Sequence, residues 1–185
     1  MKKKIIPVIV LFVICFAVTA LVACADLLTK DKIEENEANK AKKTMQALIS
    51  DATEFKDITT SAFESYEAVN ASGETVGYIF VTVGKGGYGG DITVMTALDT
   101  KGVVTGLEIT ADEETQGLGK NAHNENFRNQ YIGKAVDVYK VIKGEASADG
   151  EIEALSGATK TSNAVTNAVN LAKEAFNAMN GEAEK

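Results

Sequence analysis

Three lysines, Lys2, Lys3 and Lys4, precede a run from Ile5 to Ala25 that contains no charged residue. At 1.5 Å per residue, a helix over those 21 residues is about 30 Å long, the thickness of a hydrocarbon core. This run commits the N-terminus either to a membrane or to removal on the way across one. Three fates are open. Simple secretion uses a shorter apolar stretch, about 7–15 residues. A lipoprotein fate would use Leu21-Val22-Ala23-Cys24, small residues leading to a cysteine. The length of the run favours the third, an uncleaved anchor. In each case the lysines stay on the cytoplasmic side and the rest of the chain lies outside.

That remainder is acidic. Without the three leader lysines the chain has 16 basic against 26 acidic side chains, about −10, and Arg128 is its one arginine. Such a surface cannot neutralise a phosphate backbone, which excludes nucleic acid as a partner. Both cysteines, Cys15 and Cys24, lie in the leader, and His123 is the one histidine. Cysteine-ligated clusters, covalent haem, cysteine-rich zinc sites and a cysteine nucleophile are thereby excluded from the domain, so any redox chemistry belongs to an organic cofactor.

The leader is followed from Asp26 to Ser50 by a charged segment without Gly or Pro. Ala38, Ala41, Met45 and Leu48 recur there at helical spacing, as expected of a solvated stalk helix with a narrow apolar stripe. From Asp51 the pattern becomes short strands and turns. Strands are expected over Phe63–Asn70, Thr75–Val83, Ile92–Leu98 and Val103–Thr110, the last with Val103, Leu107 and Ile109 on one face. The turns Ala71-Ser72-Gly73-Glu74 and Asp99-Thr100-Lys101-Gly102 make their pairing antiparallel. A final helix is expected over Thr161–Met179. Its buried stripe is Val165, Val169, Ala172, Phe176 and Met179, with Asn163, Asn167, Asn170 and Lys173 off it, and Gly181 ends it. The expectation is an α+β domain: an antiparallel sheet with flanking helices behind an anchor (1–25) and a stalk (26–50), spanning 51–180, with a frayed tail at 181–185.

Three segments carry possible chemistry. Ser156-Gly157-Ala158-Thr159-Lys160-Thr161-Ser162 places four hydroxyls around small residues where an amphipathic helix begins. Helix N-termini hold anions, phosphates especially, although an ordinary capped helix start has the same composition. Glu114-Thr115-Gln116-Gly117-Leu118-Gly119 is either a plain strand-to-helix loop or a turn whose amides face a planar ligand. The glycines from Gly84 to Gly90 surround Tyr88 and form either a hairpin loop or a wall near a cofactor. They lack the GxGxxG spacing of dinucleotide folds. His123 reads as a surface residue opening a short helix that contains Phe127.

In order along the chain, Gly87-Tyr88-Gly89-Gly90-Asp91-Ile92, Glu114-Thr115-Gln116-Gly117-Leu118-Gly119 and Ser156-Gly157-Ala158-Thr159 resemble the successive motifs of the FMN-binding domain family. That family includes the G subunits of Rnf ion-translocating electron-transport complexes and the C subunits of sodium-pumping NADH:quinone oxidoreductases. Leu28-Thr29-Lys30-Asp31-Lys32-Ile33 is similar to the Rnf branch, and the resemblance runs from about Leu21 to Met179. It implies FMN joined through its phosphate to the Thr159 hydroxyl as a phosphodiester. Ser156, Gly157, Ala158, Thr161 and Ser162 would line the phosphate, and Glu114, Thr115, Gly117 and Leu118 would approach the ring. The resemblance also implies a separate flavin transferase, the other membrane subunits of the complex as partners, and ferredoxin-to-NAD electron transfer coupled to ion movement. The chain would be a relay in that process, with no catalytic residue and no metal of its own.

The sequence departs from the family's pattern at Glu153, where Asp is usual, and at Asp112 and Gln116, where His and Pro are usual. Two other readings of the residues stand beside this one. One is a stand-alone FMN lipoprotein of extracellular electron transfer, lipidated at Cys24. The other is a membrane-tethered binding or structural domain without flavin.

Overall fold

The computed structural model describes residues 2–60 and 63–183. A first unit, up to Lys43, is helical throughout and belongs to α1 (Lys2–Leu48). No break separates the expected anchor from the expected stalk. Within it Pro7–Lys30 is long and apolar enough to cross a membrane, and its described side chains are exposed.

The second unit begins at Thr44. Met45 and Ile49, at the end of α1 and just beyond it, are buried. The stripe on this segment is therefore more than a solvated helix face: Gly77 and Gly106, lacking side chains, leave room for Ile49 and Leu48.

The sheet is a five-stranded antiparallel meander: β1 (Glu54–Asp57), β2 (Glu64–Val69), β3 (Thr75–Gly84), β4 (Ile92–Leu98) and β5 (Val104–Thr110). Short polar turns set its register. Asn70 Oδ1 accepts from the amides of Ser72 and Glu74, and Asp99 Oδ1 accepts from those of Lys101 and Val103. Each turn closes on a glycine in the left-handed region, Gly73 and Gly102. A register shift where Ala97 pairs Gly106 and Leu98 pairs Val104 leaves Thr105 as an extra residue. That bulge reverses the alternation, so Val104, and not Val103, shares the buried face with Leu107 and Ile109.

After β5 come a 3₁₀ turn (Gly119–His123) and the short helix α2 (Glu125–Arg128), which carries buried Phe127. His123 closes the first of these and does not open the second. The strands β6 (Lys140–Ile142) and β7 (Glu151–Glu153) form a parallel pair. Side-chain amides complete its edges: Asn170 exchanges two hydrogen bonds with the backbone of Tyr139, and Gln130 does the same with Glu153.

The last helix, α3 (Thr159–Ala183), lies across β3 and β4. Its small residues Ala164, Ala168 and Ala172 allow close approach, and Thr82 Oγ1 donates to Ala168 O at 2.8 Å. Val165, Val169 and Phe176 complete the expected core stripe, with Met179 half-buried. One expectation for this helix needs correction. Gly181 does not end it, because the helix continues to Ala183; the last two residues of the expected tail, Glu184 and Lys185, lie outside the described residues. Lys173, off the apolar stripe, is also buried, and its Nζ donates to Gly102 O at 2.7 Å, clamping α3 to the β4–β5 turn.

Candidate functional site

The three segments singled out in the sequence meet at one end of the sheet. Beyond β5 the chain turns through Ala111–Glu114, where Glu114 N donates to Ala111 O. It then doubles back at Gly117, which has a φ of +77°, so that Leu118 and Lys120 both donate to Thr115 O. Glu114 is thereby directed inward and is only 4% exposed. Its Oε1 accepts from the amides of Tyr88 (2.8 Å) and Gly89 (3.0 Å) in the β3–β4 loop, and its Oε2 accepts from Thr161 Oγ1 (2.9 Å) on α3.

The start of α3 is built from the Ser-Gly-Ala-Thr segment. Gly157 takes φ +73°, and Ala158 N closes a turn onto Leu155 O. The first helical bond runs from Ser162 N to Ala158 O at 3.0 Å. The amides of Thr159, Lys160 and Thr161 therefore precede the i→i−4 ladder, at the partially positive end of a 25-residue helix. The Ser162 hydroxyl is turned inward; it accepts from Leu155 N and donates to Ala158 O.

A cleft of about 470 Å³ opens above this junction, lined by Tyr88, Glu114, Thr115, Leu118, Gly119 and the segment Gly157–Thr161. Of the expected site residues, Glu114, Thr115, Leu118, Gly157, Ala158, Thr159 and Thr161 meet in this wall. Gly117 forms the turn that presents Leu118. Ser156 is exposed on a neighbouring depression with Glu153 and Leu155, and Ser162 lies buried beneath the helix start. Tyr88, Gly119 and Lys160 join the wall in addition, and Tyr88 was legible only as the aromatic in a glycine run. Asp112 and Gln116 are exposed, and the Glu153 carboxylate accepts from Ala146 N at 2.9 Å.

The wall has the chemistry of a site for a planar, phosphate-bearing ligand. Amides at a helix N-terminus suit the anion. Tyr88, 75% exposed, and Leu118, 42% exposed, offer aromatic and apolar surface beside it. No Cβ restricts the approach at Gly157. Among the described residues no cluster of His, Cys, Asp and Glu is arranged to hold a metal.

A family model for the FMN-binding domain matches residues 87–174, which contain this entire wall, and one for the RnfG N-terminal region matches residues 1–48. The chain is 30% identical over 171 residues to the G subunit of the proton-translocating ferredoxin:NAD(+) oxidoreductase complex of Clostridium ljungdahlii, covering 92% of this chain and 90% of that one. The G subunit of the Na(+)-translocating complex of Acetobacterium woodii is also 30% identical, over 184 residues and 88% of each chain. The C subunit of the Na(+)-translocating NADH-quinone reductase of Vibrio anguillarum is 35% identical over 103 residues, 51% of this chain and 40% of that one. The crystal structure of Shewanella oneidensis NqrC shares the fold, with a TM-score of 0.50 at 16% identity over 66% of each chain. The chain belongs to the RnfG family of ion-translocating oxidoreductase complexes, membrane-associated electron-transfer subunits with an FMN-binding domain.

Proposed function

We propose that the chain carries FMN joined through its phosphate to Oγ1 of Thr159 and relays electrons within a ferredoxin:NAD oxidoreductase that moves an ion across the membrane. The observation that carries this reading is the position of Thr159: first residue of α3, in the wall of the cleft that also holds Glu114, Thr115 and Leu118. A phosphate there lies against the amides of Thr159, Lys160 and Thr161, where the helix end stabilises the remaining negative charge. Bound FMN supplies the electron-carrying ring. The chain would hold it in place, with Gly157 allowing close approach and Leu118 and Tyr88 offering apolar and aromatic surface to the ring.

No histidine lines the cleft, Lys160, beside Thr159, is solvent-exposed, and the Glu114 carboxylate is engaged by Tyr88, Gly89 and Thr161, so no local base is set to activate the hydroxyl. A separate flavin transferase does the attachment. The uninterrupted α1 and the family match over residues 1–48 support an uncleaved anchor with Lys2–Lys4 cytoplasmic. The domain then works outside the membrane, where a tether keeps the flavin from being lost by dilution, and the other membrane subunits are its partners.

The test is the intact mass of the full chain co-expressed with a flavin transferase. The expected increment is one FMN less one water, absent in Thr159→Ala. An unmodified wild-type chain overturns the reading.

A further inference from the structure

The Glu114 carboxylate is buried, yet among the described residues it makes no ion pair. Its partners are three neutral donors drawn from two distant segments: the amides of Tyr88 and Gly89, and the hydroxyl of Thr161. The chain makes room for it with glycines. A Cβ on Gly87 would lie 2.7 Å from Oε1, and one on Gly119 would collide with Oε2. The loop that it holds, Gly84–Gly90, is rich in glycine and loses much conformational entropy when ordered. The Asp91 carboxylate also ties the loop, to Lys85 Nζ and Gly86 N, but these contacts are solvent-exposed and contribute little. A buried anion of this kind also acts electrically: in a low-dielectric wall its field reaches a neighbouring ligand with little screening.

We propose that Glu114 is the positioning residue of the cleft, clamping the Gly84–Gly90 loop onto the first turn of α3, and that its charge lowers the reduction potential of the flavin held there. The clamp stands on the geometry above; the electrical effect rests on FMN occupying this cleft. An electron added beside a buried carboxylate is disfavoured, so neutralising that carboxylate makes reduction easier. Tyr88, at the tip of the loop, reaches the cleft wall because its own amide is fixed by Oε1.

Two variants of the full chain separate the effects. Glu114→Gln keeps the clamp, because its amide oxygen accepts from Tyr88 and Gly89 while its NH₂ donates to Thr161 Oγ1. In protein matured by the transferase, with the mass increment verified in the molecules titrated, the flavin midpoint potential of Glu114→Gln moves in the positive direction. A flavin-bearing Glu114→Gln with an unshifted potential overturns the electrical claim.

Glu114→Ala removes the clamp. In protein never exposed to flavin, amide exchange at Tyr88 and Gly89 accelerates about tenfold or more over wild type, while Glu114→Gln retains protection. Exchange in wild type as fast as in Glu114→Ala overturns the clamp. This second measurement stands whether or not the flavin is attached at Thr159, so failure of attachment and failure of the clamp give different results.

Discussion

Three glycines at the cleft give a graded test of how its wall is packed. Gly117 has φ +77° and open space where a Cβ would go, so Gly117→Ala carries backbone strain alone, about 1–2 kcal/mol. Gly157 has φ +73°, and its Cβ would meet the Leu118 Cδ2 methyl at 3.0 Å. That methyl ends a flexible, partly exposed side chain that can swing aside, so Gly157→Ala adds only a few tenths, about 1.5–2 kcal/mol in all. Gly119 is not left-handed, and alanine there gains about 0.5–1 kcal/mol of backbone entropy. Its Cβ, however, collides with Glu114 Oε2 and would lie 2.8 Å from Thr161 Oγ1. Accommodating it displaces a buried carboxylate from up to three donors, each worth about 1.5–3 kcal/mol, or overpacks the junction by about 1–3 kcal/mol. With partial relaxation, Gly119→Ala loses about 3 kcal/mol net. The assay is urea unfolding of the full chain in detergent, followed by near-ultraviolet circular dichroism, with the bound flavin read from visible absorbance. The expected order of damage is Gly119→Ala, then Gly157→Ala, then Gly117→Ala, with Gly119→Ala also poorest in flavin. A Gly119→Ala chain as stable as Gly117→Ala refutes the placement of Glu114 under the 3₁₀ turn.

The remaining predictions concern the packing that supports the cleft. Burial lowers the Lys173 ammonium below its ordinary value of 10.5, against the opposing attraction of Asp137 and Asp99. Between the folded and unfolded values the unfolded chain holds the extra proton, so stability rises with pH through that window. Lys173→Met flattens the rise in pH-dependent urea melts. Burial raises the phenols of Tyr131 and Tyr139, the latter to about 12. The unfolded chain therefore releases those protons first, and stability falls above pH 10 by about 1.4 kcal/mol per unit for each group. Absorbance at ~295 nm should show these two ionising only as the domain unfolds. Tyr139→Phe removes its own share of the slope, to which the raised phenols of Tyr66 and Tyr78 also contribute. Asn170→Ala and Gln130→Ala each remove two hydrogen bonds to the edges of the β6–β7 pair, costing about 1–3 kcal/mol. Hydrogen exchange should quicken at Tyr139 in the first variant and at Glu153 in the second.

Where the sequence was legible, the signal was local. Runs rich in β-branched and aromatic residues, bounded by turns, located β2 through β5, and the Ala71–Glu74 and Asp99–Gly102 turns made the pairing antiparallel. The strands β1, β6 and β7 have three or four residues each, too short for a period to show. The bulge at Thr105 was invisible because a period-two reading assumes an unbroken register, which is why Val103 stood in for Val104. The burial of Lys173, off the apolar stripe, could not be read because its partner, Gly102 O, is 71 residues away in sequence. The site divides in the same way. Its motifs identified the segments and the helix start that form the cleft, since glycine runs and a helix N-terminus are written locally. They did not reveal which hydroxyls turn outward. Ser162 satisfies Leu155 N and Ala158 O inside the turn, Ser156 faces a neighbouring depression, and Thr161 serves Glu114 across 47 residues.

Trypsin places the decisive residue in a convenient peptide. Cleavage after Lys143 and Lys160 releases residues 144–160, with Thr159 second from the end, while Thr161 falls in the next fragment. Fragmentation of the 144–160 peptide from membrane-extracted, matured protein should assign the flavin phosphate to Thr159 and leave Ser147 and Ser156 unmodified. A peptide of unmodified mass, or a flavin localised to any other residue, contradicts the attachment on which the proposed electron relay depends.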